Sequence, residues 1–143
     1  MAPAYETVVT AFDQLRQPGK HSVWLAGTDE HLLKERVSAH RNDITVLGTD
    51  WQIDRLMVAS DLVITKTNRM TVIELASLGM RTLSLSYGLN PVDEQCVAGL
   101  AGNEMVGIGD LTAGRLEVAL ARPEPPAVRF RSRSCAKELS LML

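Results

Sequence analysis

Two short clusters carry side chains whose types and spacing suit a phosphorylated ligand. They are Thr65-Lys66-Thr67-Asn68-Arg69-Met70-Thr71, with Glu74 one helical turn further on, and Asp93-Glu94-Gln95. The first follows an apolar run, Leu62-Val63-Ile64-Thr65, and leads into a segment of helical period that predicts a helix from Thr71 to Leu78. The first turn of a helix leaves N–H groups without partners and carries about half a positive charge. A diphosphate placed there meets donors and a favourable dipole without needing a metal. Lys66, at a strand end, can add charge or stay solvated, and Arg69 either supplies a charge to the diphosphate or blocks it. Glu74 is near enough for its carboxylate to accept hydrogen bonds from both hydroxyls of a ribose. The residues Thr71-Val72-Ile73-Glu74 also spell a capping box, in which threonine and glutamate close the helix start reciprocally. Spacing alone favours the cap over the ligand site.

Other chemistry finds little support. His21, His31 and His40 lack the i, i+4 spacing of paired helical ligands, and Cys96 and Cys135 form no CxxC or His/Cys metal pattern, so neither a metal nor a cofactor is expected. Asp93 and Glu94 are adjacent, and sequence neighbours rarely face one bond as an acid/base pair must, so contact with sugar hydroxyls or plain solvation suits them better. No Gly-x-Ser-x-Gly, P-loop or dinucleotide GxGxxG occurs. Trp51, after Gly48-Thr49-Asp50, is a better candidate than Trp24 to border a base.

The elements that must position these residues read as β-α units. Strands are expected at Val23–Ala26, Ile44–Leu47, Leu62–Thr65, Thr82–Ser86 and Met105–Ile108, and Leu62–Thr65, apolar without alternation, is the expected central one. Helices are expected from Glu6 to Arg16 (Val8, Val9, Phe12 and Leu15 on one face), and from Thr28 or Asp29 to Ala39 (Leu32, Leu33 and Val37 inward). Further helices fall around Leu56 and Met57, from Thr71 to Leu78 ending at Gly79, from Glu94 to Leu100, and from Thr112 to Leu120 with Leu116 and Leu120 inward. The fold class is α/β: a Rossmann-like three-layer domain with a mainly parallel sheet of about five strands. The 143 residues, 45% apolar, suit one domain, expected over residues 1–120, followed by a Pro- and Arg-containing tail, 121–143, expected to be partly disordered. A net charge of −2 gives no general attraction to nucleic acid. Without a long apolar run or a signal peptide, no membrane span and a cytoplasmic location are expected.

Three motifs together point to a family. Asp61-Leu-Val-Ile-Thr-Lys66, Thr71-x-x-Glu74-Leu-Ala-x-x-Gly79 and Asp93-Glu94-Gln95 resemble the C-terminal, nucleotide-sugar-binding domain of GT-B glycosyltransferases. The similarity is greatest to the group containing the bacterial undecaprenyl-pyrophosphoryl-muramoylpentapeptide N-acetylglucosaminyltransferase and the monogalactosyldiacylglycerol synthases. It covers residues 6–120 in element order and 48–99 in motifs. The resemblance implies half of a GT-B fold that binds a UDP-sugar donor, with Asn68, Arg69, Met70 and Thr71 at the diphosphate and Glu74 on the ribose. It places Glu94 and Gln95 at the donor sugar and the uracil pocket near residues 48–53. It implies hexosyl transfer to an acceptor, helped by an acceptor-binding N-terminal domain or partner subunit.

The departures matter too. Asn68-Arg69 replaces a pair of small residues, so close backbone approach to a phosphate requires Asn68 to be left-handed. Arg81 stands where proline is common, and Ala98 where asparagine often follows. The strand and glycine-rich turn that open related domains are not found, so the chain is expected to be inactive alone. Alternatives are a catalytically degenerate nucleotide-sugar-binding or interaction module, and a GT-B-like UDP-sugar hydrolase or epimerase.

Overall fold

The computed structural model describes residues 2–38, 41–49, 52–88, 90–100 and 103–127. Trp51 and the segment 128–143 lie outside the described residues, so the base-bordering tryptophan and most of the predicted tail do too. Among the described residues five strands alternate with six α-helices. Helix α1 (Ala2–Gln14) precedes β1 (Ser22–Leu25), which pairs in parallel with β2 (Ile44–Leu47). Between them the chain forms a 3-10 turn (Gly27–Asp29), helix α2 (Glu30–Leu33) and a π-helical turn (Lys34–Ser38). Helix α3 (Ile53–Ala59) leads to β3 (Val63–Lys66), α4 (Arg69–Ser77), β4 (Thr82–Ser86), α5 (Pro91–Leu100), β5 (Glu104–Gly107) and α6 (Ala113–Ala121). Strands β3, β4 and β5 form a parallel sheet in that order. No helix among the described residues is long and apolar enough to cross a membrane.

The layers follow from strand alternation, which sends successive side chains to opposite faces. Leu83 and Leu85 of β4 join Val106, Leu111, Leu116 and Ala119 with Ala11 and Leu15 of α1, so α1 and α6 cover one face. Thr82 and Ser84 point to the other, where Val72, Ala76 and Val97 lock α4 against α5. A second core holds Trp24, Ala26, Leu33, Ile44 and Val46 around Phe12 of the same α1. Helix α1 therefore reaches both sheets, with Val8 packed against both cores.

Four expectations are corrected. The five strands are present and every pairing is parallel, but the hydrogen-bonded ladder divides into two and three. The expected central strand, β3, is an edge strand with partly exposed residues, and β4, with residues 82–85 buried, is central. An unbroken apolar run reports covered faces; it does not count hydrogen-bonding neighbours. Leu32 is 47% exposed because Leu33 and Val37, one turn apart, already fill the inward stripe of that segment. Neither Thr28 nor Asp29 caps it: residues 27–29 form the 3-10 turn, and no side-chain cap bond is made at its start or at that of α2.

Candidate functional site

The carboxyl ends of β3 and β4 bring the starts of α4 and α5 side by side. Thr67 fixes the first turn: its N–H donates to the Leu85 carbonyl at 3.1 Å and its hydroxyl to the same oxygen at 3.0 Å, extending the β3–β4 ladder by one residue. Asn68 is the N-cap of α4, with φ −114° and ψ 127°, and its Oδ1 accepts from the Met70 N–H at 3.0 Å. The Val72 N–H is the first to bond back along the helix, to the Asn68 carbonyl at 2.9 Å. Of the first-turn donors, those of Arg69 and Thr71 are left for water or a ligand, where the helix dipole favours an anion.

The capping-box reading of Thr71 and Glu74 is thereby overturned. The helix starts two residues earlier than predicted, at Arg69, because asparagine caps well and a β-region Asn68 hands its carbonyl to the first turn. Thr71 is the third helical residue, and Glu74, on the next turn, is exposed and has no capping duty. Asn68 is extended and not left-handed; among the described residues only glycines have positive φ.

Around this turn the charges are arranged as follows. The Arg69 guanidinium reaches the Asp93 carboxylate on the first turn of α5, Nη2 to Oδ1 3.1 Å, with both side chains more than half exposed. Lys66 Nζ sits over the Tyr87 ring, 5.4 Å from its centroid, a cation–π contact. Met70 is 76% exposed. Glu94 behaves differently from its neighbours: it is 8% exposed and accepts a hydrogen bond from the Ser86 hydroxyl at the end of β4. Gln95 is exposed on α5. Tyr5, stacked on Trp24 at 5.5 Å, has its phenol pushed up by burial, and by Asp29 and Tyr87.

The fold around this site has a solved counterpart. The crystal structure of Acinetobacter baumannii MurG superposes with a TM-score of 0.62 over 85% of this chain and 38% of that one, at 15% identity. The fold is half of a GT-B fold. The match falls on the C-terminal half of MurG, a GT-B glycosyltransferase, so the chain spans well under half the length of that protein. No family model matches the chain, and a search of curated proteins returns no match.

In this GT-B half, Lys66, Asn68, Arg69, Met70 and Thr71 gather at one strand-to-helix turn, with Glu74 a turn along the same helix. Gln95 and Glu94 stand on the adjacent helix, but the Glu94 carboxylate is turned inward. Asp93, Ser86 and Tyr87 complete the surroundings. Ser86 and Tyr87 have no sequence signal beyond closing a strand, and the sequence reads Asp93 as a sugar-hydroxyl contact or a solvated carboxylate, not as the partner of Arg69. A separate open recess of about 500 Å³, lined by Met105, Gly107, Asp110, Thr112 and Arg115 among others, shares no residue with this turn. Two of its polar groups are engaged: Arg115 pairs with Glu104 at 2.9 Å, and the Thr112 hydroxyl caps α6.

Proposed function

We propose that this chain is the donor-binding part of a hexosyltransferase, holding a UDP-sugar at the start of α4 and acting with a second, acceptor-binding domain or partner subunit in the cytoplasm. The observation that carries the reading is the β3–α4 turn. Two unpartnered N–H groups, an exposed guanidinium and an exposed glutamate one turn on stand together at the carboxyl end of a parallel sheet, where α/β folds take ligands. The likeness to MurG in fold supports it. In this reading the Arg69 and Thr71 amides receive the diphosphate and Glu74 accepts hydrogen bonds from the ribose hydroxyls. Gln95 lies toward the donor sugar, and Glu94 serves it indirectly by anchoring α5 to β4. The chemical contribution is electrostatic: amides and dipole aimed at a leaving diphosphate whose charge grows as the glycosidic bond breaks.

Calorimetry with UDP and 2′-deoxy-UDP tests this. UDP should bind, the deoxy analogue about tenfold more weakly for the lost hydrogen bond, and Glu74→Ala should erase the difference. Equal affinity for both nucleotides in the unaltered chain rules out the ribose role of Glu74. Transfer from a UDP-sugar should need the partner domain, so turnover by the purified chain alone rules out the division of labour.

One observation favours a second reading, a degenerate interaction module that has lost catalysis and donor binding. The extended Asn68 takes the Met70 N–H for itself, removing a donor that a small-residue turn leaves for phosphate. Absence of heat with UDP, UDP-GlcNAc and UDP-Gal alike selects this reading.

A further inference from the structure

The first turn of α5 splits its two carboxylates between separate tasks. Glu94 is buried and spent on Ser86, whereas Asp93 faces outward and holds Arg69, the first helical residue of α4. A carboxylate offers a guanidinium the same kind of oxygen acceptor that a phosphate does, so Asp93, through its one contact to Arg69 Nη2, takes a donor that a phosphate would take. The pair is exposed on both sides, 64% for Arg69 and 56% for Asp93, and such pairs are weak enough to exchange partners. We propose that Asp93 is an internal competitor for the diphosphate at Arg69. It keeps the Arg69 guanidinium at the mouth of the α4 turn as an internal stand-in for the ligand's anion, and yields it to a nucleoside diphosphate, whose charge exceeds that of one carboxylate. A neutral nucleoside cannot make the exchange. Asp93 thereby lowers affinity for the diphosphate.

The inference rests on the donor-binding reading, and one set of titrations separates their failures. UDP and uridine are titrated into the unaltered chain, Asp93→Asn, Arg69→Gln and the double variant. Asp93→Asn should tighten UDP about two- to fivefold, the range an exposed pair can withhold, and leave uridine unchanged. Arg69→Gln should weaken UDP about tenfold or more, as expected for a lost charge-assisted hydrogen bond. Adding Asp93→Asn to Arg69→Gln should then change nothing, because the effect travels through Arg69. Unchanged or weakened UDP binding by Asp93→Asn overturns the proposal while leaving the donor reading intact. So does a gain that persists without Arg69, which would be relief of simple repulsion. UDP silent with all four proteins sinks both.

Discussion

Asn68 is the residue at which sequence and structure part most clearly. The spacing Thr71-x-x-Glu74 offered a cap, but a side chain three residues upstream took that duty, and this freed Glu74. Removing the cap should be measurable: Asn68→Ala should destabilise the fold by about 1 kcal/mol and Asn68→Gly by only a few tenths, read from denaturant midpoints. No loss in Asn68→Ala would mean that the Oδ1 bond to Met70 contributes nothing. Gly79 shows the opposite case, in which the sequence reading held. It ends α4 with φ +69°, and a Cβ there would also lie 3.0 Å from the Pro125 carbonyl oxygen and 3.3 Å from the Ala127 nitrogen. Gly79→Ala should therefore cost at least the roughly 1–2 kcal/mol of a left-handed alanine, seen as a lowered Tm. Glu94 was legible as a carboxylate beside the site; its direction was not, because one helical residue differs from the next by about 100° and only packing chooses which faces in.

At the scale of elements, β4 holds the three-layer body together, and it carries an odd feature. Ser84 is fully buried between helices and sheet, and its hydroxyl has no hydrogen-bond partner. A buried hydroxyl without a partner is costly, so Ser84→Ala should raise stability by about 1 kcal/mol; a loss in chemical denaturation would show that the group is satisfied after all. A second junction joins α1 to the approach of β2. Arg41 reaches Asp43 through two bonds, 2.9 Å and 2.7 Å, and Asp13 of α1 through one of 2.5 Å. The Arg41 hydrogen bond holds the Asp43 carboxyl below the usual carboxylate range. A carboxyl depressed in the folded state stabilises it above the unfolded value, and that contribution disappears as pH falls through the depressed one. Stability measured across acid pH should then fall less steeply in Asp43→Asn than in the unaltered chain, and superimposable profiles would refute the linkage.

At the scale of the whole molecule, helix α1 packs into the cores of both sheets. Phe12 fills the core around β1 and β2, while Ala11 and Leu15 on the same helix fill the core over β4 and β5. Phe12→Ala should cost roughly 3–5 kcal/mol, and hydrogen exchange should rise in β1 and in β4 together; a rise confined to β1 and β2 would show that the sheets fold independently. Strand and helix order was legible, since apolar periodicity, glycine at a helix end and β-branched runs are local consequences of backbone geometry and burial, but the one helix expected after Gly27 divides into a 3-10 turn, a short α-helix and a π-helical turn. Two strands, Ile44–Leu47 and Thr82–Ser86, fall where expected to the residue. The sequence by itself therefore determined the α/β class, the strand-to-helix turn after Thr65 and the set of polar residues gathered there. Only the tertiary structure decided that the ladder divides into two and three, that β3 is an edge, that Asn68 caps α4, and that Asp93 faces Arg69 while Glu94 faces Ser86. The physical reason is common to all of these: which strand neighbours which, and which side chain meets which, depends on contacts between segments distant in sequence, and local periodicity carries no record of them.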